Sequence, residues 1–95
     1  MTDTSDTRWS RNLFNSLRDG GTWGVPRSGL VFQRRGKTLH LIARMPFDEE
    51  LAAAARAGHD VPADAAALRR YQDQDFAAIR DRFAVAGIGV FEATP

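Results

Sequence analysis

The side chains able to carry acid–base, metal or nucleophilic chemistry are few. They are two histidines, His40 and His59, the helical aspartates Asp73, Asp75 and Asp81, and Ser28 in the turn sequence Pro26-Arg27-Ser28-Gly29. The two histidines fall in different kinds of segment, one within a strand pattern and one within a loop, and neither has a second histidine at ligand spacing. A metal would have to borrow distant carboxylates. Asp73 and Asp75 are two residues apart on a helical pattern, so they face different ways and read as solvated helix charge. Ser28 lacks the Gly-x-Ser-x-Gly setting of a nucleophile elbow and reads as a turn residue. The glycines of Gly20-Gly21-Thr22-Trp23-Gly24 follow a helix, whereas phosphate loops place theirs before one, and the phosphate-loop lysine is missing. With 0 cysteines, thiolate chemistry and cysteine zinc sites are excluded. The expectation is a protein with no catalytic constellation, no metal and no cofactor.

Charge is distributed more informatively. Between Gly20 and Phe47 stand Arg27, Arg34, Arg35, Lys37 and Arg44 with no acid, while from Asp48 onward nine acids meet five bases, within a net charge of +1 for the whole chain. One reading is that the basic and acidic halves neutralise each other across the fold, through surface pairs worth about 0–1 kcal/mol each. A sharper reading treats the basic segment as a binding element. Its candidates are Arg27, Arg34, Arg35, Lys37, His40 and Arg44, which would grip a partner's carboxylates or, in the alternative, nucleic-acid phosphates with His40 available for stacking. A pI near 8.4 lies below the usual nucleic-acid footprint, which ranks a protein partner first.

These residues must be positioned by one small domain, since 95 residues leave no room for a second core. Residues 1–7 read as a flexible polar tail and 8–95 as the domain, with Thr7 as N-cap of a helix from Arg8 to Asp19. Trp9, Leu13, Phe14 and Leu17 recur there at helical spacing, and Gly20-Gly21 stops the helix. The aromatic stripe of Trp9 and Phe14 is read as core. From Thr22 to Met45 the period changes to two, and turn signals at Pro26–Gly29 and Arg35-Gly36 divide a three-stranded antiparallel meander. A four-residue first turn opposes Trp23 to Phe32 and Val25 to Leu30. A two-residue turn at Arg35-Gly36 opposes Arg34 to Lys37, Phe32 to Leu39 and Leu30 to Leu41. Trp23, Leu30, Phe32, Leu39 and Leu41 then share a buried face. The other face carries Val31, Gln33, Arg35, Thr38, His40, Ile42 and Arg44, half polar and suited to contact. Setting Arg34 against Lys37 beside Arg35 concentrates like charge at the hairpin tip, which an anion or acidic partner would relieve.

Beyond Pro46, Asp48 is the N-cap of a short helix ending at Gly58. His59–Pro62 is a break, and residues 64–86 form a longer helix with Leu68, Tyr71, Phe76, Ile79, Phe83 and Ala86 on its inner arc. After Gly87 the apolar run Ile88–Glu92 supplies a final strand. The expected fold is α+β: a helix, the meander, two helices, and a strand joining a four-stranded sheet, with the long helix covering the face that bears Trp23 and Phe32.

The block Asn15-Ser16-Leu17-Arg18-Asp19-Gly20-Gly21-Thr22-Trp23-Gly24-Val25-Pro26-Arg27-Ser28-Gly29-Leu30-Val31-Phe32, the hairpin ending in Arg44-Met45-Pro46, and Asp75-Phe76-Ala77-Ala78-Ile79 before Ala86-Gly87-Ile88 resemble small uncharacterised proteins of actinobacterial bacteriophages. The resemblance covers most of the chain after the polar tail. It implies a phage accessory protein in a bacterial host cytoplasm and brings no known activity with it. The residues themselves agree with a cytoplasmic setting. The N-terminus has neither a basic start nor an apolar stretch, and no run nears the roughly 18 apolar residues that span a bilayer. Taken together, the sequence predicts a small binding module making protein contacts with a host or phage factor, with nucleic acid as the alternative and no membrane.

Overall fold

A computed structural model describes residues 4–93 and shows an α+β fold whose elements run α1 (Thr4–Ser16), β1 (Thr22–Val25), β2 (Leu30–Arg35), β3 (Thr38–Arg44), α2 (Glu49–Arg56), α3 (Ala65–Ala84) and β4 (Gly89–Glu92). Helix α1 begins before Arg8, so Thr7 lies inside it rather than capping it, and the expected tail is shorter than residues 1–7. Ser, Thr and Asp serve in a first helical turn as well as at its cap, which is why the start could not be placed from residue type. Of that tail, Met1 to Asp3 lie outside the described residues. Helix α2 starts as expected after Asp48, whereas α3 starts at Ala65, with Asp64 as its cap rather than its first residue, and ends at Ala84 rather than at Ala86. Asp48 accepts from the Leu51 N–H at 3.0 Å and Asp64 from the Ala67 N–H at 2.7 Å, each satisfying a first-turn donor that the helix leaves open.

The strands form one sheet in the order β1-β2-β3-β4. The first three make the antiparallel meander, and β4 runs parallel to β3, so the sheet is mixed. A parallel neighbour requires a crossover, which α2 and α3 provide. At the first turn Trp23 faces Phe32 and Val25 faces Leu30, as the four-residue loop requires. At the second turn the pairing differs from expectation: Arg35 faces Thr38, Arg34 faces Leu39 and Phe32 faces Leu41, so the loop is Gly36-Lys37. Gly36 has φ of 64°, and among the described residues only glycines have positive φ. A loop at Arg35-Gly36 of the favoured type I′ would force Arg35 into positive φ, whereas Gly36 as first central residue satisfies a type II′ turn without strain. Arg34 therefore does not face Lys37, and the expected like-charge pair is not formed.

Further along, Phe32 faces Leu41 but Val31 faces Ala43, leaving Ile42 without an opposing residue. This bulge reverses the alternation of β3, so Arg44 falls opposite buried Leu30 and on the covered side, away from the open face where strict alternation would put it.

Helices α1 and α3 cover one face. Leu30, Phe32, Leu39 and Leu41 are fully buried there with Phe83, and Phe14, Ile79, Ile88 and Val90 complete the cluster. Trp23 is half-buried and stacks on Phe32 with ring centroids 5.5 Å apart, while Phe76 stacks on Phe32 at 6.1 Å. Trp9 packs at the edge of the same cluster, in line with a core role for the α1 stripe. The two covering helices are tied by Ser10, whose hydroxyl donates to the Arg82 carbonyl at 2.8 Å.

Candidate functional site

The six candidate binding residues do not converge. Arg27 donates to Asp75 at 2.7 Å from the β1–β2 turn. The hydrogen bond and the charge of Asp75 raise the Arg27 pKa above its ordinary value, outweighing the opposing effect of burial. Arg44 lies between Asp73 at 2.9 Å and Glu92 at 3.1 Å. Arg34 donates to the Phe14 and Leu17 carbonyls at 3.1 and 2.8 Å, closing the C-terminal end of α1, and its guanidinium lies 4.1 Å over the Phe14 ring. Only Arg35 and Lys37 are exposed at the hairpin tip, and Arg35 donates to Gln33 at 2.9 Å. Arg27 and Arg44 thus tie this segment to acids of the C-terminal half, and Arg34 ties it to α1.

Two side chains behind Arg27 escaped the sequence reading. Asp75 is only 6% exposed and accepts from the Ser28 hydroxyl as well as from Arg27, so it is not solvated helix charge. Gln72, also buried, donates to the Ser28 and Met45 carbonyls at 3.0 and 2.9 Å. Ser28 is fully buried and satisfied, a clamp between the turn and α3 rather than a nucleophile. Spacing carried a signal for this: Leu68, Gln72, Asp75, Ile79 and Phe83 recur at four, three, four and four residues, one continuous inner stripe.

The other face of the sheet is a different environment. Among the described residues its side chains are Thr22, Val31, Gln33, Arg35, Thr38, His40, Ala43 and Phe91; none is fully buried, none is acidic, and no helix packs on them. His40 faces Phe91 across the parallel pair β3–β4, with ring centroids 5.6 Å apart, and its Nε2 shares a 2.8 Å hydrogen bond with the Thr38 hydroxyl. Phe91 is 52% exposed, one of two large apolar side chains so open among the described residues. Its ring lies over Gly89, where a Cβ would come within 2.8 Å of it, so the glycine makes room for the aromatic. His40 was a candidate from the sequence. Phe91 was not, because the apolar run 88–92 does not say which residue faces out until the partner strand is known.

This surface offers an aromatic pair, hydroxyl and amide groups, and Arg35 at one end. Among the described residues no three His, Cys, Asp or Glu side chains gather as a metal would need, and no helix is long and apolar enough to cross a membrane. Compared with protein-family models, curated proteins and solved structures, the chain matches none.

Proposed function

We propose that the protein is a small binding module that makes protein–protein contacts through the open face of its sheet. The observation that carries this is the exposed Phe91 set beside His40 on a face that no helix covers. An exposed aromatic with a histidine and hydroxyl neighbours is the composition of an interface centre, where large rings anchor and polar groups fix orientation. Nucleic acid ranks second, because Arg34 and Arg44 are engaged within the fold and the exposed Arg27 is paired with Asp75, which leaves Arg35 and Lys37 as the exposed bases of this segment for phosphates. The likeness to actinobacterial phage proteins directs the search to a host or phage factor in a bacterial cytoplasm.

The test is affinity capture from an actinobacterial lysate, with and without nuclease, using wild type and Phe91→Ser. A protein retained by wild type after nuclease and lost with Phe91→Ser supports the reading. A partner retained equally by both overturns the open face as the site, and capture abolished by nuclease transfers the face to nucleic acid.

A further inference from the structure

None of the eight residues of α2 is buried. Leu51, Ala54 and Ala55 nevertheless recur at the spacing of an apolar stripe, and each is half-buried. Beside this helix lies a cavity of about 610 Å³, walled on one side by Leu51 of α2 with Val61 and Pro62 of the segment that follows, and on the other by Met45 after β3 with Leu68 and Tyr71 of α3. That volume falls within the roughly 300–1,000 Å³ of small-molecule sites. The second wall is held in place: Leu68 is buried, the Met45 N–H donates to the Gly29 carbonyl at 2.8 Å, and the Met45 carbonyl accepts from buried Gln72 at 2.9 Å. A wall fixed before any ligand arrives lowers the cost of ordering the site. Apolar side chains that line a cavity forgo contacts with one another, and an apolar ligand between them restores those contacts.

Two charged side chains line the cavity, Arg27 and Asp60, one of each sign. Both are exposed to water, and Arg27 is already paired with Asp75, so neither sign is favoured in a ligand. The rest of the lining is uncharged, and a charged ligand would surrender hydration there without a counter-ion of its own. Tyr71 adds one polar group: no hydrogen bond from the described residues engages its hydroxyl, and that atom is not sealed from solvent. A phenol ring, the flat face of Pro62 and the Met45 thioether together suit an aromatic ring. We propose that this cavity binds a small uncharged aromatic molecule carrying one hydrogen-bonding group, seated between α2 and α3 with that group on Tyr71.

Met45 is one of two methionines and Tyr71 the sole tyrosine, so methyl-labelled methionine and fluorotyrosine place two NMR reporters on the cavity wall. Folded wild type is titrated with uncharged naphthol, with anionic naphthoate and with cationic naphthylmethylammonium. Naphthol should shift both reporters saturably and raise the melting temperature, while each ion should bind at least about tenfold more weakly. Tyr71→Phe, read at Met45, should weaken naphthol about three- to tenfold, as loss of one neutral hydrogen bond implies. Ala67→Phe, at a half-buried α3 position lining the cavity, should abolish the response. Circular dichroism checks that each variant is folded, and Tyr71→Phe with the charge series decides if Ala67→Phe is not. No saturable shift in wild type, an ion bound as tightly as naphthol, or a naphthol response unchanged in a folded variant would each overturn the proposal.

Discussion

Arg34 and Phe14 are joined across the covered face of the sheet, the guanidinium 4.1 Å from the ring centroid while it donates to the Phe14 and Leu17 carbonyls. A charged residue of the hairpin is thereby built into the end of α1. Arg34→Glu should leave these carbonyls open and place a carboxylate at the negative end of the helix, costing about 1–3 kcal/mol. Lys37→Glu, at the exposed loop, should leave stability unchanged. Urea unfolding of the two single variants measures the contrast, and equal midpoints would contradict the capping role.

Ser28 donates to the buried Asp75 carboxylate, which Arg27 also holds. Ser28→Ala should leave Asp75 short of one donor in a buried setting and destabilise by about 1–3 kcal/mol. Thermal melting read by circular dichroism checks this; a wild-type transition would mean that Arg27 alone satisfies the carboxylate.

Phe32 is fully buried and stacked between Trp23 and Phe76. Phe32→Ala should cost about 3–5 kcal/mol, a large part of the stability of a domain this small, and should shift tryptophan emission because Trp23 loses its backing ring. A loss below about 1 kcal/mol would be inconsistent with the three-ring stack, since truncating a buried aromatic rarely costs so little.

Gly36 holds φ of 64° in the β2–β3 loop with open space around its Cα, so a substitution there tests backbone conformation rather than packing. Gly36→Val should destabilise by about 1–2 kcal/mol through the strain of a side chain in the left-handed region. Unchanged urea unfolding would place the turn elsewhere.

Periodicity made the buried face legible even though the hairpin pairing was read two residues out of register. Moving the loop from Arg35-Gly36 to Gly36-Lys37 pairs Phe32 with Leu41 in place of Leu39, and because strand faces alternate every second residue, such a slip leaves every side chain on its original face. Leu30, Phe32, Leu39 and Leu41 were therefore correctly placed in the core, and His40, Gln33 and Thr38 on the other face. What the slip did change was which charges meet, and with it the reading of Arg34.

Local chemistry thus determined the start of α2 at its Asp48 cap, the meander and the inward residues of the strands, because capping, turn geometry and side-chain alternation act over a few residues. Tertiary structure alone decided the rest. The direction of β4 depends on where the α2–α3 crossover returns the chain, and with it the exposure of Phe91 beside His40. The bulge at Ile42 turned Arg44 toward Asp73 and Glu92, and the approach of the β1–β2 turn to α3 buried Asp75 against Ser28. Each of these pairs residues far apart in the chain, and a partner at that distance leaves no periodic trace in the sequence around either one.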